Sequence, residues 1–204
     1  MTAPRTRIQR RNHRLIMDAA LEVFSQHGYR GSTLDQIAAR AGLSKPNLLY
    51  YFESKEAIHR ELLTDLLDTW IAPLRRIDPA GEPRAEILAY VHRKLAMARE
   101  YPRESRLFAG EILQGAPRIE GFIRGELKTL VDEKAALIRA WAAAGRIGAV
   151  QPYHLIFSIW ALTQHYADFD AQMRMILGDG QDPTEGAEAH LTRLFERLLA
   201  PEPR

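Results

Sequence analysis

A chain of 204 residues with 46% apolar content can build one large domain, or a small one joined to a larger one, around a sizeable core. It holds no cysteine, which excludes disulfides and thiolate chemistry and fits a reducing compartment. No stretch nears the roughly 18 consecutive apolar residues of a membrane-spanning helix. Net charge is close to balanced at +2 but unevenly spread: residues 1–60 carry ten Lys and Arg against five Asp and Glu, and the rest carry 18 against 21.

The basic surplus begins with Arg5, Arg7, Arg10, Arg11 and Arg14. Without an apolar run beside them they do not form a secretory signal, so a cytoplasmic protein is expected. As an arm they can track a phosphate backbone or enter a minor groove, or play no part at all. From His13 to His27 apolar residues recur at Leu15, Ile16, Ala19, Ala20, Val23 and Phe24, the period of a helix, which Gly28 should end.

Between Thr33 and Glu56 the sequence TLDQIAARAGLSKPNLLYYFESKE reads as two short helices around a tight Ala-Gly-Leu-Ser corner. Ile37, Ala38, Leu43, Leu48 and Phe52 supply the apolar contacts between them, Gly42 the permissive backbone of the turn, and Ser44 the N-cap of the second helix. Lys45, Asn47, Leu49, Tyr50 and Tyr51 are left facing outward. A reading helix presents its first turn to base edges and its later polar groups to phosphate. Lys45 can reach guanine acceptors, Asn47 an adenine edge and Leu49 a thymine methyl, while Tyr50, Tyr51 and Lys55 are phosphate donors. Thr33 either caps its helix or meets phosphate as well, and Ser44 and Pro46 complete the N-terminal end of the surface. The alternative for each is a solvated helix start or ordinary packing.

Ser54 caps a long helix from Lys55 to about Arg76, whose end Pro73 should kink or shorten. The run DPAGEP at 78–83 is the clearest linker. Helical segments follow near 84–100, 103–114, 118–143, 153–176 and 184–199, separated by Pro- and Gly-bearing breaks. No strand alternation and no repeat is evident. The expectation is an all-α chain, with an N-terminal three-helix helix-turn-helix head (1–54) and a larger C-terminal helical ligand-binding and dimerisation body (55–204).

Residues 19–58, AALEVFSQHGYRGSTLDQIAARAGLSKPNLLYYFESKEAI, resemble the TetR-type transcriptional regulators through their combination of motifs. The body also resembles one member, a regulator of pyrimidine utilisation. The carriers are WIAPL at 70–74, YP at 101–102 with SRLF at 105–108, GAP at 115–117, residues 130–134 and HLIFSIWALTQHYADF at 154–169. The resemblance implies a homodimer that binds a double-stranded DNA operator and answers a small molecule, with Trp70 and Gln164 as ligand contacts. Trp160, Arg106 and Tyr166 are carried over with them. It favours a dimer interface made from the last two helices of each subunit.

The residues give a parallel reading. On the segment 153–176, Phe157, Trp160, Gln164 and Asp168 fall on one side. A glutamine amide within an apolar helix needs partners, and the edge of a planar ligand such as uracil or thymine offers both a donor and an acceptor. A neighbouring backbone group would satisfy it equally, and a TetR-type repressor answering another small molecule is the close alternative. Trp70 is the leading aromatic wall. His165 and Asp168 read as a charged pair in a helical interior. On 184–199, Ala187, Leu191, Leu194, Phe195 and Leu198 form a stripe wide enough for the body and a partner. The seven histidines show no metal-ligand spacing, and there is no nucleophile motif or phosphate loop, so neither metal, cofactor nor enzyme activity is expected. Outside the regulator class, the competing expectation is a helical protein-interaction module.

Overall fold

The computed structural model describes Thr6 to Pro201, and every regular element among these residues is helical. Arg5 lies outside the described residues. Helix α1 (Arg7–Gly31) starts six residues before the apolar period does, because Thr6 and Gln9 cap it reciprocally. The Gln9 amide donates to Thr6 Oγ1 at 3.3 Å and the Thr6 amide to Gln9 Oε1 at 2.8 Å. The expected stop is present as a break in the helical path at Gly28, φ 66° and ψ 171°, before one last turn to Gly31. Helices α2 (Leu34–Ala41) and α3 (Lys45–Tyr51) follow with the corner between them.

Helix α4 (Lys55–Arg75) continues two residues beyond Pro73, so the proline neither kinks it early nor stops it at once. So close to the end, the missing N–H costs only one helix hydrogen bond. Helices α5 (Pro83–Glu100) and α6 (Pro102–Leu113) agree closely with their expected spans. The expected segment 118–143 is instead divided into α7 (Glu120–Phe122), a π turn (Ile123–Leu127) and α8 (Lys128–Ala143). The segment 153–176 likewise breaks at Phe169 into α9 (Pro152–Asp168) and α10 (Asp170–Leu177). Apolar spacing misses both faults because a one-residue slip leaves most of the stripe in place. Helix α11 (Ala187–Leu198) closes the fold.

The chain divides into two compact units. One comprises the chain up to Asp68 together with Arg106–Ile119; the other comprises Thr69–Ser105 and the chain from Glu120 onward. The division thus falls inside α4 and α6, and not at the 54/55 boundary read from the sequence. The first unit packs Ile16, Ala20, Phe24, Ile37, Leu48, Phe52, Ile58 and Leu63, all buried. In the second, Ile71, Leu74 and Ile77 join Tyr90, Val91 and Leu95 of α5, Ile138 and Trp141 of α8, Ile156 and Ile159 of α9, and Leu191 and Phe195 of α11. No helix among the described residues is long and apolar enough to cross a membrane.

Candidate functional site

The helix-turn-helix is assembled by capping at each step. Thr33 forms a reciprocal cap with Gln36, its Oγ1 accepting from the Gln36 amide at 3.2 Å and its own N–H donating to Gln36 Oε1 at 2.8 Å. Gly42 takes the left-handed conformation, φ 68°, that ends α2, and its N–H and that of Leu43 close onto the Ala39 and Ala38 carbonyls. Ser44 Oγ then accepts from the Asn47 amide at 3.3 Å, with Pro46 in the first turn of α3. Ile37, Ala38, Leu48 and Phe52 are buried and Leu43 is half-buried, so the inward face is the one the spacing indicates.

The outward face is less uniform. Lys45, Pro46 and Asn47 are exposed, as are Leu49 at 41% and Tyr50 at 69%. Lys45 pairs with Asp35 at 2.9 Å across the corner. The Tyr50 hydroxyl accepts from Gln9 and the Tyr51 hydroxyl from Asn12, each at 3.0 Å, and Tyr51 is half-buried. Both phenols keep their O–H to donate, so α1 orients these rings without consuming the donor. Arg7, Arg10, Arg11 and Arg14 all lie exposed on the first turns of α1.

Lys55 differs from its reading as a free phosphate contact. Its ammonium donates to the carbonyls of Tyr29 at 2.7 Å and Ser32 at 2.6 Å and stands 4.4 Å from the Tyr29 ring centroid. It ties the start of α4 to the end of α1. Burial and then the positive charge of Arg118 lower its pKa. The surroundings are a buried network that residue spacing did not reveal. Arg118 pairs with the fully buried Glu111 at 2.9 Å, its backbone N–H donates to the same carboxylate at 2.7 Å, and its guanidinium lies 3.8 Å over Tyr29. His59 packs edge-on against Phe24 and Tyr29. Desolvation, then Arg118 and Lys55, lower its pKa to about 4.

In the second unit, α5 and α9 pack with their polar residues in rungs. Trp160 Nε1 donates to the Tyr90 hydroxyl at 2.6 Å. One turn further on α5, the buried Lys94 places its ammonium 4.7 Å over the Trp70 ring. Two turns beyond Trp160 on α9, the negative charge of Asp168 acts on Lys94, and Ser105 Oγ donates to Asp168 at 2.6 Å. Gln164 lies between the rungs, half-buried, with Tyr166 half-buried nearby in sequence. Trp70 thus meets α5 at Lys94 and Trp160 meets it at Tyr90, with Gln164 one turn beyond Trp160 on α9. Arg106, half-buried on α6, falls in the other compact unit. Burial, against the pull of Asp168, lowers the Lys94 pKa to about 8. Lys94 was missed from the sequence; the signal that could have found it is a lysine on the apolar stripe Ile87, Val91, Leu95, Ala98.

Phe157 lies on the same side as Trp160, their ring centroids 5.6 Å apart, although it is 46% exposed. One other reading changes. His165 and Asp168 do not form the expected pair: His165 is exposed and stacks on Phe169 at 4.8 Å, while Asp168 belongs to Ser105 and Lys94. The α11 stripe is divided, with Ala187, Leu191 and Phe195 buried and Leu194 and Leu198 exposed. No group of His, Asp and Glu among the described residues is arranged to hold a metal ion.

Comparison with known proteins agrees with this architecture. Residues 16–62 match the family model described as bacterial regulatory proteins, tetR family, and residues 63–202 match the YcdC-like protein, C-terminal region. The HTH-type transcriptional regulator RutR of Escherichia coli K12 is 48% identical over 177 residues, covering 87% of this chain and 84% of RutR. Among solved structures, the fold is shared with AibR in complex with isovaleryl coenzyme A and operator DNA (TM-score 0.71, 19% identity, covering 93% of this chain and 99% of that one). It is shared also with the putative transcriptional regulator SCO4942 from Streptomyces coelicolor (TM-score 0.68, 22% identity, 93% and 99%). A capped helix-turn-helix followed by a matched helical body over nearly the whole length places the chain in the TetR family, as a DNA-binding transcriptional regulator and not an enzyme.

Proposed function

We propose that the chain acts as a homodimer whose affinity for its DNA operator is switched by a small pyrimidine such as uracil or thymine. The observation that supports the ligand reading is the buried Lys94 of α5 over the Trp70 ring, on a helix that packs against α9, which carries Gln164; an aromatic wall and a two-way amide thus lie on elements of the same unit. Kinship with RutR supports it. A planar heterocycle stacks on an indole and offers adjacent donor and acceptor groups to an amide, so the two residue types suit one ligand class. Trp160 and Tyr166 lie on the same helix as Gln164 and are proposed as further contacts.

In the head, Lys45, Asn47 and Leu49 read base edges, and Thr33, Ser44, Pro46, Tyr50, Tyr51 and Lys55 meet the phosphate backbone. Lys55 has one ammonium proton left for that after its two carbonyls. A homodimer is supported by Leu194 and Leu198, one turn apart on α11 and turned away from the core, because two heads at fixed spacing read two half-sites. Helix α4 begins beside the reading head and ends in the unit that holds Trp70, which supplies the connection between ligand and head. About 1.4 kcal/mol of ligand preference for one arrangement changes operator affinity roughly tenfold. Such a regulator works in the bacterial cytoplasm, where the chromosome lies.

The test is a thermal-shift and DNA-retardation series with uracil, thymine, fatty acids and acyl coenzyme A. Uracil or thymine should raise the melting temperature and alter operator binding. Gln164→Ala should bind the operator normally and lose the response. A shift with acyl compounds and none with nucleobases would replace the pyrimidine by another effector.

A further inference from the structure

Helices α4 and α5 border a cleft of about 400 Å³ that lies wholly within the second unit and that neither Trp70, Lys94 nor Gln164 lines. Its lining is apolar at Ala72 and Pro73 on one side and at Ala96 and Met97 on the other. Two guanidinium groups join them: Arg76, just past the end of α4, and Arg93 of α5. The volume is in the range of small-molecule sites, ~300–1,000 Å³.

Apolar packing does not account for the two arginines. Arg93 is half-buried, and its Nε is enclosed without a hydrogen-bond partner. Its Nη2 reaches only the Pro73 carbonyl, at 3.5 Å, a long and weak bond. Buried donors are normally paired, above all on a charged group, so an orphaned guanidinium nitrogen marks a place where a partner belongs. Glu86, the acid whose field reaches Arg93, holds the Asp78 amide at 3.0 Å instead of pairing with it. Burial lowers the Arg93 pKa, Glu86 offsets part of this, and the like charge of Arg76 adds to it. The group stays charged at any physiological pH.

Two like charges and an unmet donor beside one cleft are complementary to an anion. A guanidinium fork matches the paired oxygens of a carboxylate. Glu100, two turns along α5 from Arg93, also lines the cleft, so two arginines less one glutamate leave a net charge of +1. That balance suits a monoanion and disfavours a dianion such as a phosphomonoester. The apolar lining suits an uncharged body behind the anionic group, and the ring of Tyr101, 38% exposed, gives it a further face to pack on.

We propose that this cleft binds a small organic monocarboxylate, its two oxygens between Arg76 and Arg93 and its apolar body on Pro73, Ala96 and Met97. Such a ligand ties the end of α4 to α5. It is a second input to the protein, independent of the pyrimidine reading.

The experiment is calorimetric titration of the full-length protein with benzoate, with its neutral isostere benzamide and with inorganic phosphate. Benzoate should bind once per subunit, and benzamide and phosphate roughly tenfold more weakly or worse. R76Q and R93Q should each weaken benzoate binding roughly ten- to hundredfold, as for a lost charged hydrogen bond. R93K, which keeps the charge without the fork, should fall between the parent and R93Q. R76Q should melt as the parent does, because Arg76 is exposed. Q164A should bind benzoate unchanged, which separates this cleft from the effector position. A parent that does not bind benzoate overturns the proposal, as does binding that is lost in Q164A or that R76Q leaves unchanged. Phosphate or benzamide binding as tightly as benzoate overturns it too. Should R93Q unfold through loss of its Pro73 contact, R76Q alone decides.

Discussion

The Nδ1 atom of His59 stands 4.0 Å from the Glu111 carboxylate, beyond hydrogen-bonding distance, because Arg118 already holds that carboxylate at 2.9 Å. The proximity of an acid would ordinarily raise a histidine pKa, but burial and the cations Arg118 and Lys55 prevail and lower it to about 4. His59 therefore folds neutral. Its folded pKa lies below the unfolded value near 6.5, so the stability it contributes is complete above about pH 6.5 and is lost as pH falls toward 4. Between pH 7 and pH 5 the loss from this group is about 2 kcal/mol. Chemical denaturation at the two values measures it, and His59→Gln should flatten the slope. An unchanged slope in that variant would show that another group sets the acid sensitivity.

The Glu111 cluster also shows where residue spacing stops being informative. The helix-turn-helix was readable in detail because its determinants are local: caps at Thr33 and Ser44, a left-handed glycine at 42, an apolar set within twenty residues. Trp70 and Gln164 were accessible as oddities on their own helices, together with the kinship that implied them. The contact that explains Trp70 comes from Lys94, as that of Trp160 comes from Tyr90, both distant in sequence, and no period within one helix reports a contact across two. The breaks at Phe169 and in the π turn escaped for another reason. Each changes the phase of a helix by about one residue, and the apolar stripe tolerates that error.

Asn47 tests whether α3 reads bases. It is exposed in the first turn of the helix, with its backbone N–H held by Ser44 and its side chain left outward. Asn47→Ala should leave the fold unchanged and reduce discrimination at one operator position by about 1–3 kcal/mol, with weaker effect on binding to unrelated DNA. Binding measured against a panel of single-base operator variants would show it. Equal losses at every position would place Asn47 on the backbone instead.

Lys55 should behave unlike a surface lysine. Its ammonium satisfies the carbonyls of Tyr29 and Ser32, and alanine there would leave both in a partly enclosed site without that donor. Lys55→Ala is expected to destabilise the protein by about 1–3 kcal/mol, the range for a lost charged hydrogen bond. It should also weaken DNA binding at all sequences and lower the salt slope by at most about one. Lys55→Arg separates the roles: a guanidinium retains charge for phosphate but has a different fork for the two carbonyls. Salt-dependent binding that is restored while stability remains low would assign both functions to this side chain.

The stripe on α11 provides the test of assembly. Phe195 is 1% exposed among the core residues of the second unit, while Leu194 beside it is 39% exposed and Leu198 47%. Phe195→Ala should therefore unfold the unit more readily, by about 3–5 kcal/mol, through the cavity it opens. Leu194→Asp with Leu198→Asp should leave each subunit folded, since neither leucine fills the core, and place two carboxylates where a partner would have to bury them unpaired. Sedimentation should then show a monomer, and operator affinity should collapse because a lone head contacts only one half-site. A double variant that remains dimeric and binds its operator would mean that the two subunits meet on some other surface, and that the exposed leucines are ordinary surface residues.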